Sequence, residues 1–104
     1  MAQFDVYTNT NPETKQTIPY LLDVQADLLN NLTTRVVVPL ISVSAMGKAA
    51  QHLNPFFSVK RTKVIMSTAE LAGVMAKSLG EKVCSLKEHR NEIIAALDFL
   101  ITGF

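Results

Sequence analysis

The residues of this chain best suited to chemistry are two histidines, one cysteine and a pair of closely spaced aspartates. His52 and His89 could act as general bases or metal ligands, but neither has a second ligand at a metal-binding spacing. His89 also falls in what reads as the first turn of a helix, a surface position. Cys84 has no CxxC partner, so a buried or inert thiol is the default reading. Asp23 and Asp27 are four apart, but across a strand end and not along a helix. Carboxylates working as acid and base need surroundings that separate their pKa values. The sequence supplies no such surroundings, and a structural role is expected. Gly47, Gly73, Gly80 and Gly103 are scattered singly, so no phosphate-cradling loop is present. The expectation is a chain with no catalytic residues, no metal and no cofactor.

Two features suggest recognition instead. Leu28-Leu29 are adjacent leucines just after a strand, where a turn tends to expose at least one of them. The stretch Ile101-Thr102-Gly103-Phe104 finishes on a bare aromatic. Such a phenylalanine either tucks into its own core or stands out as an anchor for a partner.

These residues must be held by a scaffold, and the scaffold reads as mostly strand. Gln3 to Thr8 alternates, with Phe4 and Val6 on one face and Gln3, Asp5 and Tyr7 on the other, the period of a half-buried strand. Asn9 to Thr17 is polar, contains Pro12 and reads as a loop. Tyr20 to Gln25 reads as a second strand, closed by a turn at Asn30-Asn31. Arg35 to Ile41 is a β-branched run and the clearest strand, with Pro39 marking an edge or a bulge. Ala45 to Leu53 is Ala-rich and suits a short helix ending at Asn54-Pro55. Phe56 to Val59 and Val64 to Ser67 read as strands joined at Lys60, Arg61 and Lys63, a charged hairpin tip.

Ser85 to Phe104 carries the strongest helix signal. Ser85 and Glu88 form a capping box. Ile93, Ile94, Leu97, Leu100 and Ile101 share one stripe, with Asn91, Ala95, Asp98 and Thr102 opposite. Gly103 stops the helix. Ser67 to Glu70 resembles a second capping box, and Leu71 to Leu79 is rich in helix formers, so local propensity alone reads helix there. Consecutive antiparallel strands followed by one helix favour a small barrel-like sheet over a parallel one.

Composition narrows the function. The chain has 104 residues, one domain spanning 1–104, with 48% hydrophobic and 18% charged residues. So apolar a small domain leans towards a dimer. The net charge of +1 argues against nucleic-acid binding through phosphate contacts. No apolar run is long enough to span a bilayer, so no membrane partner is expected. One cysteine permits no intrachain disulfide, and without a signal peptide a reducing, cytoplasmic location is expected. Asn31-Leu32-Thr33 matches a glycosylation acceptor but has no meaning in that compartment.

Taken in order, several segments resemble the CcdB family of bacterial toxins: Gln3-Phe4-Asp5-Val6-Tyr7, Asp23-Val24-Gln25-Ala26-Asp27-Leu28-Leu29, Arg35-Val36-Val37-Val38-Pro39-Leu40, Leu86 with His89-Arg90 to Ile93, and the Gly103-Phe104 ending. The resemblance implies an SH3-like five-stranded antiparallel barrel with a small extra sheet and a C-terminal helix. It also implies a strand, not a helix, for roughly Gly73 to Leu79. It implies a homodimer joined near the helices, with Leu100 and Ile101 close to the contact. It implies a non-enzymatic toxin that traps the cleaved gyrase–DNA complex by binding the DNA gyrase A subunit. A CcdA-like antitoxin neutralises such toxins. Carried over by position, the gyrase-facing residues are Gln3, Phe4, Tyr7, Ala26, Leu28, Leu29, Asp98, Thr102, Gly103 and Phe104.

There are departures from the family pattern. Thr102 stands where gyrase-poisoning members can carry tryptophan, a stronger hot-spot anchor. Asp98 replaces an asparagine, Met75 stands at an expected Val-Pro pair, and Phe104 is bulkier than the usual isoleucine. Two alternatives compete: a MazF-like endoribonuclease toxin on a similar barrel, for which no obvious Arg–Thr or Arg–His set is present, and a non-toxic dimeric binding module.

Overall fold

The computed structural model describes residues 1–45 and 53–103. Its strands are β1 (Asp5–Thr8), β2 (Tyr20–Asp23), β3 (Thr34–Ser42), β4 (Phe56–Val59), β5 (Thr62–Met66), β6 (Ala72–Met75) and β7 (Lys82–Ser85), followed by helix α1 (Arg90–Thr102). Single 3₁₀ turns occupy Asp27–Leu29, Thr68–Glu70, Ala76–Ser78 and Lys87–His89. The protein is therefore mostly β with one C-terminal helix, as expected. The short helix expected over Ala45 to Leu53 lies almost wholly outside the described residues.

All strand pairs are antiparallel and run in the order β4-β5-β3-β2-β1-β7, with β6 also paired to β3. β3 is the hub, since its β-branched residues suit a strand flanked on both sides. One side pairs β2 from Tyr20↔Leu40 to Asp23↔Val37. The other side pairs β6 through Thr34 to Val37 and then β5 through Leu40 to Ser42. Pro39 sits in the changeover between those two partners, where a missing N–H breaks no ladder. This differs from the expected edge or bulge: the proline interrupts one side of a central strand. Its carbonyl still accepts the Ser67 N–H at 2.9 Å.

The sheet curls around a core of Val6, Leu22, Val24, Val38, Leu40, Phe57, Val59, Val64 and Met66, closed by Leu86, Ile93 and Ala96. β4 shows the plain period of two: Phe57 and Val59 are buried, Phe56 and Ser58 exposed. The Phe57 ring lies 5.1 Å from the His89 imidazole, so β4, at one end of the sheet, meets the entry to α1 beyond its other end. At Lys60 and Arg61 the turn has φ of 51° and 67°. Two consecutive left-handed residues are what a two-residue hairpin needs to match strand twist.

Three expectations need correction. β1 is buried on both faces, with Asp5 4% and Tyr7 6% exposed, and not half-buried. The helix begins at Arg90, not at Ser85. Ser85 still belongs to β7, because the next N–H, that of Leu86, is claimed by the Phe4 carbonyl at 2.8 Å. The Ser85 hydroxyl accepts the Lys87 N–H at 3.2 Å and caps only a 3₁₀ turn. Ser67 and Glu70 do join, Oγ to Oε1 at 2.5 Å, but they close one 3₁₀ turn before the chain turns into β6. The strand expected over Gly73 to Leu79 is present as Ala72–Met75, and Ala76–Ser78 coils instead.

Candidate functional site

The site starts where the chain leaves β2. Asp23 Oδ1 accepts the Gln25 N–H at 3.0 Å, which bends the backbone out of the strand. Gln25 then spans two segments: Oε1 accepts the Val36 N–H at 3.0 Å and Nε2 donates to the Leu29 carbonyl at 3.0 Å. Asp27 Oδ1 accepts the Gln3 N–H at 2.8 Å, and Gln3 Nε2 donates to the Val24 carbonyl at 3.1 Å. From β3, Arg35 Nη1 reaches Asn30 Oδ1 at 2.7 Å. Every polar residue of the Asp-Val-Gln-Ala-Asp stretch is thus spent on holding the Asp27–Leu29 turn. The leucines are left outside: Leu28 is 95% exposed and Leu29 49%. A rigid turn presenting bare leucines costs little ordering entropy when a partner covers it.

Beneath the turn lies a buried polar cluster. Arg35 Nε donates to Asp23 Oδ2 at 2.8 Å, and Nη2 lies 2.6 Å from the same oxygen without hydrogen-bond geometry. Burial pushes the Asp23 carboxyl up from its ordinary value, opposed by the Gln25 N–H and the Arg35 guanidinium. Tyr7 rises to about 12, first through burial and then through the Asp5 and Asp23 charges. Asp5 is held by the Ala2 N–H at 3.0 Å and by Lys82 Nζ at 3.4 Å. Asp23 and Asp27 are therefore structural, as the sequence suggested. Arg35 and Asn30 were missed there. The available signal was an arginine inside a buried β-branched run, which must find a carboxylate.

The structure divides the expected partner-facing residues. It brings Gln3, Ala26, Leu28 and Leu29 to one region. Phe4 (3% exposed) and Tyr7 (6% exposed) sit beneath the surface and offer a partner almost no area. A second region is the end of α1. Asp98 and Thr102 are exposed on the face opposite the core, and the Thr102 hydroxyl donates to the Asp98 carbonyl at 2.7 Å. Gly103 takes φ of 81° and its N–H caps the Phe99 carbonyl at 3.0 Å. That left-handed cap is the conformation glycine adopts without strain. Leu100 is half-buried and Ile101 75% exposed. Phe104 lies outside the described residues. Arg90 sits over the Phe4 ring at 5.9 Å, and the helix carries the second region about 18 Å from there.

The reactive side chains are otherwise engaged. The His89 ring lies tilted against Phe57, with Nδ1 3.0 Å from Glu92 Oε1. The Cys84 thiol is pushed up, chiefly by burial, which disfavours the thiolate. His52 lies outside the described residues. Among the described residues, no three His, Cys, Asp or Glu side chains gather as metal ligands would, and no helix is long and apolar enough to cross a membrane. A cleft of about 360 Å³ opens beside the turn, lined in part by Gln3, Asp27, Lys82 and Lys87. Comparison with known protein families gives a match to the one described as CcdB protein, over residues 3–103.

Proposed function

The chain belongs to the CcdB family, and we propose that it is the toxin of a type II toxin–antitoxin pair, acting on the DNA gyrase A subunit without enzymatic chemistry of its own. The observation that carries this reading is the family match over residues 3–103, nearly the whole chain. On this reading the sheet is an open version of an SH3-like barrel and works as a rigid frame. The Asp27–Leu29 turn and the end of α1 are the two gyrase-facing elements. Leu28 and Leu29 supply apolar contact, with Gln3 and Ala26 at the rim. Phe4 and Tyr7 act from below by fixing β1 under the turn. Asp98, Thr102, Gly103 and Phe104 form the helix-end contact, where Phe104 takes the anchoring part that Thr102 is too small to play.

The protein works as a homodimer, supported by the exposed Ile101 beside Leu100 at the end of α1. Two copies would bring two helix ends to one target. A CcdA-like antitoxin covers the toxin and withdraws it from gyrase. The site of action is the cytoplasm, where gyrase is.

Controlled induction in bacteria tests the reading. It should arrest growth, with double-strand breaks bound covalently to gyrase. Arrest with fragmented RNA and intact DNA would instead favour the endoribonuclease alternative, and unimpeded growth would favour a non-toxic binding module.

A further inference from the structure

The hairpin tip between β4 and β5 has no part in the contacts proposed so far. Lys60 and Arg61 form the whole of its two-residue turn and are both exposed. Both are held at positive φ, 51° and 67°, where asparagine and glycine are the ordinary choices. The turn thus carries two long cations in a conformation that disfavours them. Lys63, the next cation on β5, is exposed and lies 5.4 Å over the Phe56 ring, itself 49% exposed. The aromatic face holds that ammonium beside the tip. Among the described residues none of these three cations forms an ion pair; those present are Arg35–Asp23, Lys82–Asp5 and His89–Glu92.

We propose that Lys60, Arg61 and Lys63 are a phosphate-contacting surface that meets the backbone of duplex DNA held by the toxin's target. The inference rests on the gyrase reading and extends it. Ammonium groups supply point charge and the guanidinium a fork that fits two phosphate oxygens. With a net charge of only +1, the protein does not gather DNA by itself. The contact acts once gyrase has brought DNA alongside, adding sequence-independent hold to the trapped complex.

The test is the double variant Lys60→Asn with Arg61→Asn, since asparagine accepts the left-handed turn and removes both charges. Affinity for the gyrase A N-terminal fragment without DNA, and trapping of cleaved plasmid at increasing salt, are both measured. The variant should match the wild type on the fragment. With DNA it should need more protein to trap, and its log–log salt slope should be shallower by about 2, roughly one for each cation removed. Lys60→Arg with Arg61→Lys should trap as the wild type does. An unchanged salt slope overturns the inference. So does a loss of affinity for the DNA-free fragment, which would mean that the tip touches acidic protein. A wild-type chain that fails to bind the fragment refutes the gyrase reading itself.

Discussion

Arg35 and Asp23 form an ion pair sealed inside the protein, Nε donating to Oδ2 at 2.8 Å, with side-chain exposures of 1% and 0%. The same guanidinium donates to Asn30 at 2.7 Å. The pair therefore joins the sheet to the turn that carries Leu28. Arg35→Ala leaves a buried carboxylate uncompensated and should destabilise the protein by about 3–5 kcal/mol. Exchanging both partners for apolar residues of similar volume, Asp23→Leu with Arg35→Met, should cost less than the single change. Urea unfolding of the native chain and both variants measures the two effects.

Tyr7 should make stability fall in alkali. Its phenol ionises near 10 in the unfolded chain and at about 12 in the folded protein. Between those values the folded state keeps a proton that the unfolded chain has released. The contribution is whole below pH 10 and is lost as pH rises towards 12. In a Tyr20→Phe background the remaining tyrosine should give its tyrosinate absorbance at about pH 12. Titration near 10 would show that Tyr7 is not held as described.

Much of this arrangement was legible in the sequence, for definite reasons. The strand at Phe56 to Val59, the β-branched run of β3 and the Gly103 stop each follow from a short-range rule, and each appears in the fold. What stayed hidden depends on pairing across the sheet. Asp5 and Tyr7 read as a solvent face because polar residues at a period of two usually are one; a second buried layer, built around Arg35, reverses that. Ser85 read as a helix cap because no local rule says that Phe4 will claim the Leu86 N–H. The Asp-Val-Gln-Ala-Asp stretch stood out as a motif, yet its work in fixing a turn is visible only through its bonds to Gln3, Val36 and Leu29.

Leu28→Ala should separate binding from folding. A side chain that is 95% exposed adds little burial energy, so stability should change by less than about 0.5 kcal/mol. Affinity for the gyrase A fragment should fall roughly tenfold, about 1.4 kcal/mol. Calorimetric titration against the fragment checks this, and an affinity equal to that of the wild type would remove the turn from the binding surface.

Ile101→Lys should break the proposed dimer without unfolding the chain. Ile101 is 75% exposed, and a cation near a helix C-terminus suits the helix dipole. Light scattering at micromolar concentration should show a dimer for the native chain and a folded monomer for the variant. A native chain that is monomeric under those conditions would count against the dimer.

The central claim is that this protein holds gyrase on cleaved DNA, and that the end of α1 is indispensable for it. Purified gyrase with supercoiled plasmid and ATP is treated with the protein, then with detergent and protease, and linear DNA is measured. The full chain should give linear DNA in proportion to dose. A chain lacking Thr102, Gly103 and Phe104 should melt at nearly the same temperature and give none. Absence of linear DNA with the full chain, or equal amounts with the shortened one, would contradict the account.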